Sequence, residues 1–164
     1  MHEPKKANVV LGGGKIEALF MEGYREFVSL PSAKQSYRTL FLSLTDREKA
    51  PGVFHCTTGK DRTGWAAAAL LTLLGVPKET VMADYMRTND YTLPQFKHAI
   101  DDFVAAGGER AIAVAVFGVK PEYLEASFDE MQKQHGTIEG YFSEALGIDA
   151  AGQKALRDLY LDTK

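Results

Sequence analysis

His55-Cys56-Thr57-Thr58-Gly59-Lys60-Asp61-Arg62-Thr63-Gly64 joins the apolar pair Val53-Phe54 to the apolar run Trp65 to Leu74. It contains the chain's one cysteine, separated from Arg62 by five residues. On a loop that runs from a strand end into a helix start, a cysteine and an arginine at that spacing face a common centre. Successive N–H groups around such a curve, those of Thr57, Thr58 and Gly59 among them, form an anion-binding nest. The helix that follows adds the positive end of its dipole. The same field favours the ionised form of Cys56, so a thiolate is expected near neutral pH. Arg62 offers a planar, permanently charged fork for two phosphoryl oxygens. Gly59 and Gly64 let the backbone turn and approach closely. Thr63 opens the helix, with its hydroxyl placed to hydrogen-bond the sulfur. Lys60 is expected to face the substrate's phosphate or a second one. His55 is expected to be a buried hydrogen-bonding residue that orders the loop rather than a base. Together these features suit a thiolate attacking phosphorus.

Other chemistries fail on spacing. A nucleotide-binding loop needs Gly, four residues, then Gly-Lys-Ser/Thr. Gly59-Lys60 is followed by Asp61, and Gly12-Gly13-Gly14-Lys15 by Ile16. Zinc needs three or four ligands, and one cysteine with four scattered histidines makes no such cluster. Thiol relays of the arsenate-reductase kind need a second cysteine. Neither a metal nor an organic cofactor is implied.

The loop resembles the active-site signature His-Cys-x-x-Gly-Lys-Asp-Arg-Thr-Gly of bacterial tyrosine phosphatases, a branch of the cysteine-dependent phosphatases in which some members also act on phosphoinositides. Asp84-Tyr85-Met86-Arg87-Thr88-Asn89 and Lys120-Pro121-Glu122-Tyr123-Leu124 are similar to family segments, as is Gly136 to Leu161. Tyr24-Arg25-Glu26-Phe27-Val28 resembles the helix before the family's active-site strand. The likeness runs from about Gly23 to the C-terminus. It implies an α/β fold, with an active-site strand, loop and helix followed by a helical half. It also implies a phosphorylated protein or a phosphoinositide as substrate, and in some members a helical lid, which here falls at 93–119.

The family's earlier Arg-Asp-Leu-Gly-Gly-like stretch and its Asp-Leu-Arg strand have no counterpart here. Periodicity shows the same gap. Ile16, Leu19, Phe20, Tyr24 and Phe27 recur at helical spacing, as do Tyr37, Leu40, Phe41 and Leu44. Strand candidates reduce to Val53-Phe54-His55 and Asn8-Val9-Val10-Leu11. One or two strands cannot build a parallel sheet covered on both faces. The expectation is therefore a single domain over 1–164 that corresponds to the C-terminal part of a phosphatase. Much of its sheet would come from an N-terminal half or from a second copy in a homo-oligomer. A phosphate-binding fragment without turnover is the competing reading. Sulfur transfer on a rhodanese-like loop is a third, disfavoured by the five residues and by Arg62-Thr63-Gly64.

Composition sets the remaining bounds. A net charge of −3 gives no general attraction to nucleic acid. No apolar run reaches the ~18 residues of a membrane span. Met1 to Lys15 lacks the apolar core of a signal peptide, although a shortened start would leave both cytoplasmic and secreted locations open. Downstream, a helix buried nearly all round is expected over Thr63 to Leu74, with others opening at Pro77, Pro94 and Pro121. Ala111 to Phe117 reads as helix or strand. Asp149 is expected to cap the last helix. His98 and His135 read as surface residues. Asp84 and Arg87 form a helical i,i+3 pair, or Arg87 and Asn89 support the loop. Asp61 lies between Lys60 and Arg62. There it either donates a proton to the leaving oxygen or braces the loop by accepting amide or arginine hydrogen bonds.

Overall fold

A computed structural model describes residues 3–49 and 51–162; the ends of the 1–164 span and Ala50 lie outside it. Among the described residues there is no strand. The α/β expectation is therefore corrected for this chain. Asn8–Leu11 belongs to α1 (Pro4–Leu11), where Val9 and Val10 point into solvent. Val53 and Phe54 have no ladder partner, and Val53 is 94% exposed. A segment without a pairing neighbour is not a strand, because a strand is defined by the backbone groups that pair with it.

The body is built on α2 (Lys15–Ser29), α3 (Pro31–Leu44), α4 (Arg62–Leu73) and α9 (Pro121–His135). Between α4 and α9 run α5 (Lys78–Met86), α6 (Thr88–Gln95), α7 (Lys97–Ala105) and α8 (Arg110–Phe117). After α9 come the short α10 (Ile138–Gly140), a π turn over Tyr141–Ala145, and α11 (Ala150–Tyr160). The periodic residues of α2 bury Tyr24 and Val28 against Tyr123, Leu124 and Phe128 of α9. The Ser127 hydroxyl ties the two helices by donating to the Tyr24 carbonyl at 2.7 Å. α4 lies within this core. Trp65 is fully covered, edge-on to Phe128 and Tyr141, while Ala66, Ala68 and Ala69 let neighbouring helices approach. The expected all-round apolar helix is thus present, ended by Gly75 at φ +85°.

Pro77 and Pro121 open helices as expected, and the Asp149 carboxylate accepts the Gly152 N–H at 2.9 Å. Pro94 does not open one: it lies inside α6, and the chain restarts at Lys97. The ambiguous run over 111–117 is helical. With α7 and Ile16 it makes a separate small core of Ile100, Phe103, Ile112, Ala113 and Ala115. Gly108 lies so close to the Phe103 ring that an added Cβ would stand 2.3 Å from it. That contact folds α7 and α8 into a tight hairpin beside the start of α2.

Candidate active site

The polypeptide enters the site through Val53 and Phe54, bends through residues 57–61, and leaves as α4. Gly59 takes φ +73°, a left-handed turn in which a side chain would be strained. The curl aims backbone N–H groups of Thr58, Gly59 and Thr63 at the Cys56 sulfur. Burial pushes the thiol up. The Thr63 hydroxyl and those three amides outweigh burial and bring it down to about 6. At neutral pH the sulfur is therefore mostly thiolate, in a nest that also suits a phosphate dianion.

Arg62 is exposed at the loop exit, and its Nη2 donates to the Thr57 hydroxyl at 3.0 Å, so the guanidinium folds back across the loop. Thr57, Thr58 and Gly59 are exposed around the same curve. The structure thus brings Cys56, Thr57, Thr58, Gly59, Arg62 and Thr63 together as the spacing predicted. A cleft of about 500 Å³ opens on Cys56, Arg62 and Thr63, walled by Phe27, Tyr37 and Leu40. A second, of about 310 Å³, lies against Asp61 and Arg62, walled by Leu19, Phe20 and Phe27.

Two residues, His55 and Lys60, sit differently from expectation, while Gly64 allows the close approach expected of it. His55 is exposed, not buried, and its ring Nδ1 lies 3.0 Å from the neighbouring Cys56 carbonyl. Without a strand on either side of residues 53–55, nothing covers it. Lys60 is 4% exposed and turned into the body. Its ammonium lies 4.7 Å over the Phe20 ring and donates to Asp61 Oδ1 at 2.8 Å and to the Gly118 carbonyl at 3.1 Å. Gly64 makes room: an added Cβ would meet the Tyr85 ring at 2.9 Å, so glycine allows that ring against the first turn of α4.

Asp61 is held by side chains, not by the amides or arginine that a simple brace would use. Its Oδ1 accepts from the Tyr24 hydroxyl at 2.9 Å as well as from Lys60. The Tyr24 and Tyr85 hydroxyl oxygens are 2.6 Å apart. Tyr37 donates to the Arg62 carbonyl at 3.2 Å and fixes the exit of the loop. Tyr37 carries no sequence signal for a role at the site, because it reads as one more apolar residue on a helical face. Tyr24 and Tyr85 read the same way but fall within two of the segments that resemble the family.

Asn89 supports the site at one remove. It exchanges two hydrogen bonds with Val119, at 2.8 and 3.0 Å, beside the Gly118 carbonyl that holds Lys60. Among the described residues Asp84 and Arg87 form no ion pair. His98 is exposed. His135 is half-buried, facing Glu144 at 3.0 Å, and neither histidine is near Cys56 in the cleft. The described residues contain no cluster of potential metal ligands and no helix long and apolar enough to cross a membrane.

Comparison with known proteins agrees with this geometry. The chain is 30% identical over 151 residues to the triple specificity protein phosphatase PtpB of Mycobacterium tuberculosis, an alignment covering 84% of this chain and 53% of that one. It is 35% identical over 109 residues to a Cupriavidus necator protein named as a tyrosine-protein phosphatase, covering 66% of this chain and 39% of the other. The chain thus spans about half the length, or less, of these curated relatives. A family model described as the tyrosine phosphatase family matches residues 1–162, which takes in α1 and the start of α2 ahead of the segments that first suggested the likeness. With that match over nearly its whole length, the chain belongs to the tyrosine phosphatase family.

Proposed function

We propose that this protein hydrolyses phosphomonoesters through a cysteinyl-phosphate intermediate. The observation that carries the reading is the loop geometry: the amides of Thr58, Gly59 and Thr63 and the Thr63 hydroxyl face the Cys56 sulfur and bring its thiol down to about 6, and Arg62 closes the same loop. Phosphate oxygens sit on the amides of residues 57–59 and on the Arg62 fork. The thiolate attacks phosphorus in line; the S–P bond forms as the P–O ester bond breaks. Asp61 gives its proton to the leaving oxygen, then takes one from the water that attacks phosphorus. That second step breaks the S–P bond, releases phosphate and restores the thiolate. The transition state is loose, so placement and charge carry most of the rate.

The relative named for triple specificity favours a site open to more than one phosphoester class. Phosphotyrosine, phosphoserine or phosphothreonine, and phosphoinositides are the substrates to compare. A lid role for the hairpin of α7 and α8, within residues 93–119, is supported by its own small core and by its position beside α2, whose residues wall the cleft at Asp61. A complementing N-terminal half, or a second copy, completes the fold along Val53-Phe54, whose backbone lacks a ladder partner.

The test is phosphate release from p-nitrophenyl phosphate by this chain and by any longer product of the same gene. Alongside it, the oligomeric state is measured by sedimentation. Turnover is expected, higher in the longer product, with self-association of the shorter one. Phosphate binding without release by either chain would favour the competing reading, a phosphate-binding module. A strictly monomeric chain with full activity would remove the need for a complementing partner.

A further inference from the structure

Asp61 is an acid only if its proton sits on the oxygen that meets the ester, and the groups around it decide which oxygen that is. Lys60 and Tyr24 both donate to Oδ1, at 2.8 and 2.9 Å. Tyr24 has a single proton, which is committed to the carboxylate. The 2.6 Å contact between the Tyr24 and Tyr85 hydroxyls must then run from Tyr85 to Tyr24. Both tyrosines are buried, at 1% and 4% exposure, so water does not compete for these bonds.

Burial first, then the neighbouring Tyr85 and Asp61, hold the Tyr24 phenol far above its ordinary range. Burial likewise raises Tyr85. The hydroxyls therefore stay protonated as donors throughout the working pH range. Three elements hold the arrangement in place. Tyr24 is anchored through its own carbonyl to Ser127 of α9, Tyr85 lies on α5, and the missing Cβ of Gly64 lets the Tyr85 ring reach the loop.

We propose that Tyr85 and Tyr24 form a two-hydroxyl donor chain that positions Asp61 for proton transfer, fixing Oδ1 as acceptor and leaving Oδ2 to carry the proton. The tyrosines are positioning residues, since they act through Asp61 and touch no reacting atom. This inference rests on Asp61 being the acid. Chains of hydrogen bonds polarise one another, so Tyr85 strengthens the bond that Tyr24 makes.

The experiment measures kcat and KM on phenyl phosphate, a poor leaving group, and on p-nitrophenyl phosphate, a good one. Tyr24→Phe and Tyr85→Phe are made in the parent chain and in Asp61→Asn; each keeps the ring and its packing. Tyr24→Phe is expected to lower kcat on phenyl phosphate about tenfold, the worth of one buried hydrogen bond, with KM unchanged. On p-nitrophenyl phosphate the loss is expected to stay under about twofold. Tyr85→Phe follows the same pattern at about threefold. In the Asp61→Asn background neither substitution is expected to lower the rate further.

Equal losses on both esters, a rise in KM alone, or additive losses in the Asp61→Asn background would reduce the tyrosines to packing and overturn the proposal. If Asp61→Asn shows leaving-group dependence and Tyr24→Phe does not, the donor chain alone fails. If Asp61→Asn shows none, the acid assignment fails and the donor chain with it. Absence of turnover in the parent chain overturns both.

Discussion

Cys56→Ser is expected to release no phosphate from an aryl ester while still binding inorganic phosphate or vanadate. Serine keeps the size of the side chain, and the amides of the loop, Arg62 and the start of α4 are untouched, so the anion nest survives. What is lost is the proposed nucleophile, a thiol brought down to about 6. A hydroxyl at this position stays protonated at neutral pH and cannot leave phosphorus readily in the second step. The sign of the pH dependence follows. As pH rises through about 6, the thiolate fraction of the free enzyme rises, so alkylation by iodoacetamide should accelerate through that value and then level off. Bound phosphate should protect against it. Turnover that survives in Cys56→Ser would rule out the cysteinyl-phosphate route. Alkylation that begins only above pH 8 would rule out the depressed thiol.

Asp61→Asn is expected to lose about 10² to 10³ in rate on a phosphotyrosine or alkyl ester, and less than about tenfold on p-nitrophenyl phosphate, in the range general acids supply. A good leaving group departs without a proton; a poor one does not. Asparagine can still accept from Tyr24 and Lys60, so the packing of the loop is largely kept and the difference reports proton transfer. Equal losses on the two esters would leave Asp61 a brace for Lys60 and Tyr24. The ratio of the two losses, more than either alone, separates these roles.

The chemistry was legible because it is local. A nest, a thiolate and a guanidinium need only ten consecutive residues, and glycine at 59 is the residue such a turn demands. Helices were legible for the same reason. Their hydrogen bonds close within four residues, so the spacing of Ile16, Phe20, Tyr24 and Phe27, or the apolar run after Trp65, already marks a buried face. Misjudged elements depend on distant partners. Val53-Phe54 has the composition of a strand, but a strand needs a neighbour, and among the described residues none is present.

Lys60 is the clearest case at the site. A lysine in a phosphate loop reads as a ligand for phosphate. Here the adjacent Asp61 accepts from the ammonium, and Phe20 and the Gly118 carbonyl, 40 and 58 positions away, draw it inward. Tyr24 and Tyr85 were equally hidden in their role. As isolated letters they are apolar helix residues, and only the crossing of α2, α5 and the loop puts their hydroxyls in line with Asp61.

By itself the sequence therefore determined the proposed nucleophile, its arginine and the turn that joins them, because short-range geometry and the chemistry of a single thiol leave little choice. The tertiary structure alone decided which groups surround Asp61 and where Lys60 points. Those depend on contacts between residues far apart in the chain, and burial makes such contacts strong only once the helices have packed.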